Sequence, residues 1–186
     1  KAFELSYDYI INSNEKVAEK GHKTEEAINT IDEKLTRYLI SLSGEALSQK
    51  ESEVLTNILD SSRDLERIGD HAEALINLND YLQRKNVQFS NSALEELEDI
   101  YRQTSEFVKD ALESVENNDL EKAETLIERH EAINNMERVL RKTHIKRLNN
   151  GECSTQAGVN FIDIISHYTR VSDHAMNLAE KVLAEQ

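Results

Sequence analysis

An all-α protein built as two tandem antiparallel three-helix bundles is predicted by three observations. Proline is absent and glycine numbers only five among 186 residues, so almost nothing interrupts a helix. Aromatic residues make up 5% of the chain while Glu, Lys, Leu and Ala abound, which leaves few strand formers to compete. The third observation is a repeat. Asp60-Ser-Ser-Arg-Asp-Leu-Glu-Arg-Ile-Gly-Asp-His-Ala72 returns 103 residues later as Asp163-Ile-Ile-Ser-His-Tyr-Thr-Arg-Val-Ser-Asp-His-Ala175. Asp60 falls on Asp163, Arg67 on Arg170, Asp70 on Asp173 and His71 on His174. Upstream, Glu26-Ala-Ile-Asn29 recurs as Glu131-Ala-Ile-Asn134 at an offset of 105, a slip that a slightly longer loop explains. Two matches in the same order describe a tandem duplication.

The elements follow in order. Phe3, Tyr7, Ile10, Ile11 and Val17 keep helical spacing and predict a first helix ending near Gly21. Thr24 is the expected N-cap of a second, with Glu25 and Glu26 in its first turn. Ile28, Ile31, Leu35, Tyr38, Leu39 and Leu42 form its apolar stripe, and Gly44 ends it. Ser48 with Glu51 reads as a capping box opening a long third helix, 49 to 85. Its expected buried face is Ile58, Leu65, Ile68, Ala72, Leu75 and Leu82.

Asn86 to Asn91 is the expected linker, dividing the chain into halves 1–88 and 89–186. Ser92 then caps a fourth helix carrying Leu94, Leu97, Ile100, Tyr101, Phe107, Val108, Leu112 and Val115. Asn117-Asn118-Asp119 turns the chain into a fifth, with Leu120, Leu126, Ile127, Ile133, Met136, Val139, Leu140 and Leu148, stopped at Asn149-Asn150-Gly151. Ser154 or Thr155 starts the sixth, whose inward residues are Phe161, Ile164, Tyr168, Val171, Ala175, Leu178 and Val182. Short connections make each trio antiparallel.

The net charge of −14 argues against nucleic acid, which needs a basic footprint, and against direct adhesion to anionic lipid. Cys153 is the one cysteine, so no internal disulfide forms and a reducing compartment is the default. No apolar run reaches the roughly 20 residues of a membrane span. The chain starts at Lys1 rather than an initiator Met, and a fragment of something longer is the expectation.

The repeated polar residues have a helical logic. Asp60, Asp64, Arg67 and His71 form a stripe on the flank of the third helix's apolar face, and Asp163, His167, Arg170 and His174 reproduce it on the sixth. Flank positions border a groove with a neighbouring helix, where ion pairs and hydrogen bonds fix registration. Glu66 and Asp70, one turn apart, lie farther round. Such a pair suits a hard or borderline cation and also occurs constantly on solvated helices. His22, His130 and His144 are isolated in sequence and read as surface or helix-end residues. Arg138, Arg141, Lys142, Lys146 and Arg147 offset the negative pole of the fifth helix, with docking to an acidic or membrane-proximal face as the functional alternative. Glu152 beside Cys153 discourages a thiolate nucleophile.

The words Asp64-Leu-Glu-Arg-Ile-Gly-Asp-His-Ala72 and Tyr168-Thr-Arg-Val-Ser-Asp-His-Ala-Met-Asn-Leu-Ala-Glu180 resemble the twin signatures of the PhoU family of phosphate-transport regulators. The resemblance covers essentially the whole chain and implies six helices in two tandem bundles. Ile31-Asp-Glu-Lys-Leu-Thr-Arg-Tyr-Leu-Ile-Ser-Leu42 is similar to a variant found as the cytoplasmic C-terminal domain of sodium/phosphate cotransporters. Family members carry Glu/Asp-x-x-x-Asp pairs that in some cases hold iron or other cations. Carried over, this implies metal ligands at Glu25, Asn29, Glu66 and Asp70 in the first half, and at His130, Asn134, Thr169 and Asp173 in the second. Asn29, Asn134 and Thr169 depart from the pattern by supplying neutral groups, so the first half is the better candidate. Fe, Mn, Zn, Ca and Mg are the ions such a set would take.

The function expected from this is non-enzymatic regulation of phosphate transport, at the inner face of the membrane, through an attached or partner transporter domain. A free-standing phosphate-uptake regulator of the same family is the alternative. A metal-storing or di-metal oxidase bundle is disfavoured, since the one Glu-x-x-His, Glu19 to His22, is interrupted by Gly21. A purely structural dimerisation bundle is the third reading. A homodimer is the expected assembly.

Overall fold

The computed structural model describes residues 1–44 and 47–184. Among them are six helices and no strand: α1 (Ala2–Asn12), α2 (Glu15–Ser43), α3 (Gln49–Arg84), α4 (Asn91–Asn117), α5 (Leu120–Asn149) and α6 (Thr155–Ala184). α1 packs on α2 and α3, α4 packs on α5 and α6, and α3 lies along α6, joining the two trios.

Most boundaries follow from local chemistry. The Ser48 hydroxyl accepts the Glu51 N–H while the Glu51 carboxylate accepts the Ser48 N–H, so the expected capping box is formed. Asn118 ends α4 in the left-handed region at φ 49°, and the Asp119 carboxylate accepts the Lys122 N–H to open α5. Gly151 supplies φ 70° after α5, and the Ser154 hydroxyl accepts the Ala157 N–H at the start of α6.

The first boundary differs from expectation. α1 stops at Asn12, where Ser13 turns with φ 52° and Asn14 caps α2 through Lys16 N–H. Gly21 therefore sits inside α2. It is there for contact rather than for termination: a β-carbon at that position would overlap Ile76 Cδ1 of α3. Thr24 is likewise interior, its hydroxyl donating to the Lys20 carbonyl at 2.7 Å. At α4, Ser90 and not Ser92 is the cap, accepting the Ala93 N–H.

One hydrophobic core runs through both trios, from Phe3 and Leu75 to Phe107, Phe161 and Tyr168. At its centre the Phe3 ring stands edge-on to Tyr168 at 5.3 Å, and Tyr7 stacks on Tyr101 at 3.6 Å. The inward set expected on α6 is buried in full. Two residues expected to be buried on α3 are not: Ile58 is 40% and Leu65 42% exposed. α1 is 11 residues long against 27 for α4, so the groove between α2 and α3 is covered only in part. An apolar hollow of about 450 Å³ lies there, walled by Ile28, Ile31, Leu35, Ile58 and Leu65. Leu112, Val115, Ile127 and Val139 are also more exposed than their spacing suggested. Among the described residues, no helix is long and apolar enough to cross a membrane.

Candidate functional site

The two polar stripes face each other across the α3–α6 seam. The His174 Nδ1–H donates to Asp64 Oδ1 at 3.0 Å, and the same oxygen accepts from the Asn177 amide at 2.9 Å. Lys181 lies 3.5 Å from the other Asp64 oxygen and donates to Ser61. About two turns away, Nδ1 of His71 and Nδ1 of His167 stand 3.0 Å apart, one N–H donating to the other lone pair. Under the 103-residue offset Asp64 corresponds to His167 and His71 to His174. The two contacts are thus copies of one contact, with a carboxylate in one place and an imidazole in the other.

Charge within the seam is arranged around this difference. Burial, then the neighbouring His167 and His174 and the Arg170 and Arg67 guanidinium groups, hold the His71 imidazole down at about 4. Burial lowers that of His167 as well. Asp60, Arg67, Asp163 and Arg170, by contrast, lie on the solvent side. Arg67 sits 3.7 Å from Asp70 and Arg170 3.6 Å from Asp173, one equivalent surface pair per copy. An open hollow of about 550 Å³ beside the seam is lined by Asp60, Arg63, Asp64, Arg67, His174 and Lys181, among others.

The first set of implied metal ligands comes together between α2 and α3. Glu25 is 8% exposed and accepts the Asn29 amide. Burial, then Glu73, raise its carboxyl above the usual range, with Asp70 adding to the shift. Glu66 is raised by burial, then by Asp70, Asp32 and Glu25. Carboxylates that hinder each other's ionisation in this way are the electrostatic mark of a place that suits a cation. Sequence reasoning passed over Asp32 and Glu73, although Glu66, Asp70 and Glu73 share one face at i, i+4 and i+7. The second set fits a cation poorly. His130 Nε2 is 2.9 Å from Asp173 Oδ1, with the Asn134 amide at 3.4 Å, and the Thr169 hydroxyl is committed to the Ile165 carbonyl. Among the described residues, no group of three or more His, Cys, Asp or Glu side chains is arranged to hold a metal ion.

His22, His144 and the arginines of the basic stretch of α5 find structural partners. His144 is 2% exposed rather than superficial, stacked on Phe161 at 4.1 Å with Cys153 Sγ 3.7 Å from its Nε2. His22 lies 3.0 Å from Glu73. In the basic stretch of α5, Arg147 grips Glu96 with two bonds of 2.6 Å, and Arg141 reaches Glu137 and Ser166. These two act across helices and not only on the α5 dipole.

Comparison with known proteins completes the description. The PhoU domain family matches residues 1–78 and 97–182, once in each half. The phosphate-specific transport system accessory protein PhoU homolog 1 of Thermotoga maritima is 30% identical over 178 residues, 96% of this chain and 68% of that protein. The crystal structure of PhoU from Pseudomonas aeruginosa superposes with a TM-score of 0.88 at 18% identity, covering 98% of this chain and 87% of the other. That of the phosphate transport system regulatory protein PhoU from Streptococcus pneumoniae gives 0.83 at 20% identity, covering 98% and 84%. A duplicated signature on the last helix of each trio, six helices in this packing, and a family match in both halves make this chain a member of the PhoU family.

Proposed function

We propose that this chain is a non-enzymatic regulator of phosphate uptake, acting at the cytoplasmic face of the membrane on a phosphate transporter through its helix faces. The observation that supports it is the family match in both halves, joined to 30% identity with a phosphate-specific transport accessory protein. That relative favours the free-standing regulator over the sodium/phosphate cotransporter domain expected from Ile31 to Leu42, so the free-standing form is the reading preferred here. A regulator of this kind works by binding one transporter state better than another, and its effect is bounded by that difference in affinity. The test is phosphate uptake in cells with and without the gene. Loss of the protein is expected to alter uptake and its dependence on external phosphate. Unchanged uptake at every phosphate concentration would refute the reading.

A second reading concerns the acidic groove. We infer that a hard cation would draw Glu25, Glu66 and Asp70 together, with Asn29 as a neutral oxygen donor: these carboxylates are not gathered as a ligand set in the structure, but burial and mutual repulsion raise Glu25 and Glu66 together. An ion bound there would supply charge compensation between α2 and α3. Elemental analysis of protein purified without chelator should find Fe, Mn, Zn, Ca or Mg. The content should fall at least tenfold in Glu66→Gln/Asp70→Asn; equal content in both proteins would discard the site.

A further inference from the structure

We propose that His71 and His167 form a second, separate site for a borderline transition-metal ion such as Cu²⁺ or Ni²⁺, clamping α3 to α6.

The geometry carries the argument. Two Nδ1 atoms 3.0 Å apart, each about 2.0–2.1 Å from a common metal, subtend an angle close to a right angle. Adjacent positions of a square-planar or octahedral ion have that angle. The rings are inclined at 61° with centroids 5.2 Å apart, and each turns by roughly 40° to aim its lone pair at a shared point about 2.0–2.1 Å away. Both side chains are half-buried and within reach of solvent, which fills the positions the protein leaves open.

The chemistry of the surroundings agrees. A metal takes the neutral imidazole through its free lone pair. The hydrogen now shared between the two Nδ1 atoms moves to the Nε2 of its own ring, so binding at neutrality needs no net loss of a proton. Arg67 and Arg170 are the opposing charges. They are exposed and stand beside Asp70 and Asp173. The duplication fixes the number of sites. At the equivalent contact the second imidazole is replaced by Asp64, whose oxygens already engage His174, Asn177 and Lys181. One ion per chain is therefore expected, and its two protein ligands come from different halves.

The site is independent of the acidic groove, and the experiment separates them. Cu²⁺ added to the full chain should give an electron paramagnetic resonance spectrum with coupling to two equatorial nitrogens at one ion per chain. His167→Gln and His71→Gln should each abolish that signal, while Glu66→Gln/Asp70→Asn should keep it. Ni²⁺ at a hundredfold excess over its dissociation constant should raise the melting temperature by about 5–10 °C in the unaltered protein. If the histidine variants fail to fold, the unaltered chain decides: Ni²⁺ should protect His71 and His167 from diethyl pyrocarbonate, read by mass spectrometry. An unchanged copper spectrum in folded His167→Gln, or equal labelling of both rings with and without Ni²⁺, overturns the proposal.

Discussion

Gly21 shows how a single residue can belong to two arguments. Read along the chain, a glycine after an apolar stretch marks a helix end; read across the fold, it makes room for Ile76. Gly21→Ala should destabilise the protein by about 1–3 kcal/mol in urea unfolding, the usual range for overpacking. The cost should shrink when Ile76→Val opens the same space, so that the double-mutant cycle shows coupling. His71 offers a second test. Its folded value of about 4 lies below the ordinary imidazole value of 6.5, so between those values the unfolded chain binds more protons. Stability should therefore fall as pH drops from 6.5 toward 4, and His71→Gln should flatten that part of the curve. The titratable and charged neighbours of the ring are His167, His174 and Arg170 on α6 and Arg67 on α3. A steeper curve in the variant would contradict this account.

At the level of elements, the helices were legible where their ends carry strong local chemistry. Ser48 with Glu51, and Asn118 with Asp119, place two boundaries by hydrogen bonds that any sequence reader can anticipate. Ser48→Ala should cost about 1 kcal/mol in thermal unfolding. The α1–α2 boundary was not legible because Ser13 and Asn14 make a two-residue break inside a continuous helical pattern. Apolar periodicity likewise reports that a helix has an inward face, and not how much of that face a neighbour covers. Leu65 and Ile68 belong to one stripe, yet their exposures are 42% and 9%. Leu65→Ala should accordingly cost less than about 1 kcal/mol and Ile68→Ala about 2–4 kcal/mol, measured by the same denaturant titration. Comparable costs at both positions would show that the α2–α3 hollow is closed in solution.

For the whole molecule, the duplication was the most readable feature, since two copies of a thirteen-residue word need no structure to be seen. What they do together was not. Which partner each copy meets is a three-dimensional fact, and the meeting of Asp64 with His174 and of His71 with His167 follows from how α3 lies on α6. The pairing of Glu25 with Glu66 and Asp70 was suggested by family resemblance, Glu73 was within reach of the i, i+4, i+7 spacing, and Asp32 required the fold. Because the core is continuous from Phe3 to Tyr168, the chain should unfold in one transition, with far-ultraviolet and near-ultraviolet circular dichroism coincident. Two resolved steps would mean that the halves melt separately.

The aromatic centre has a practical corollary. The protein has six tyrosines and no tryptophan; Tyr101 and Tyr168 pack on Phe3 and Tyr7 stacks on Tyr101, where α1, α4 and α6 converge. Intrinsic phenol emission is thus a built-in gauge of that junction, needing no dye or label. Any effector that pries the first trio from the second should announce itself as a change in ultraviolet fluorescence before helix content is lost.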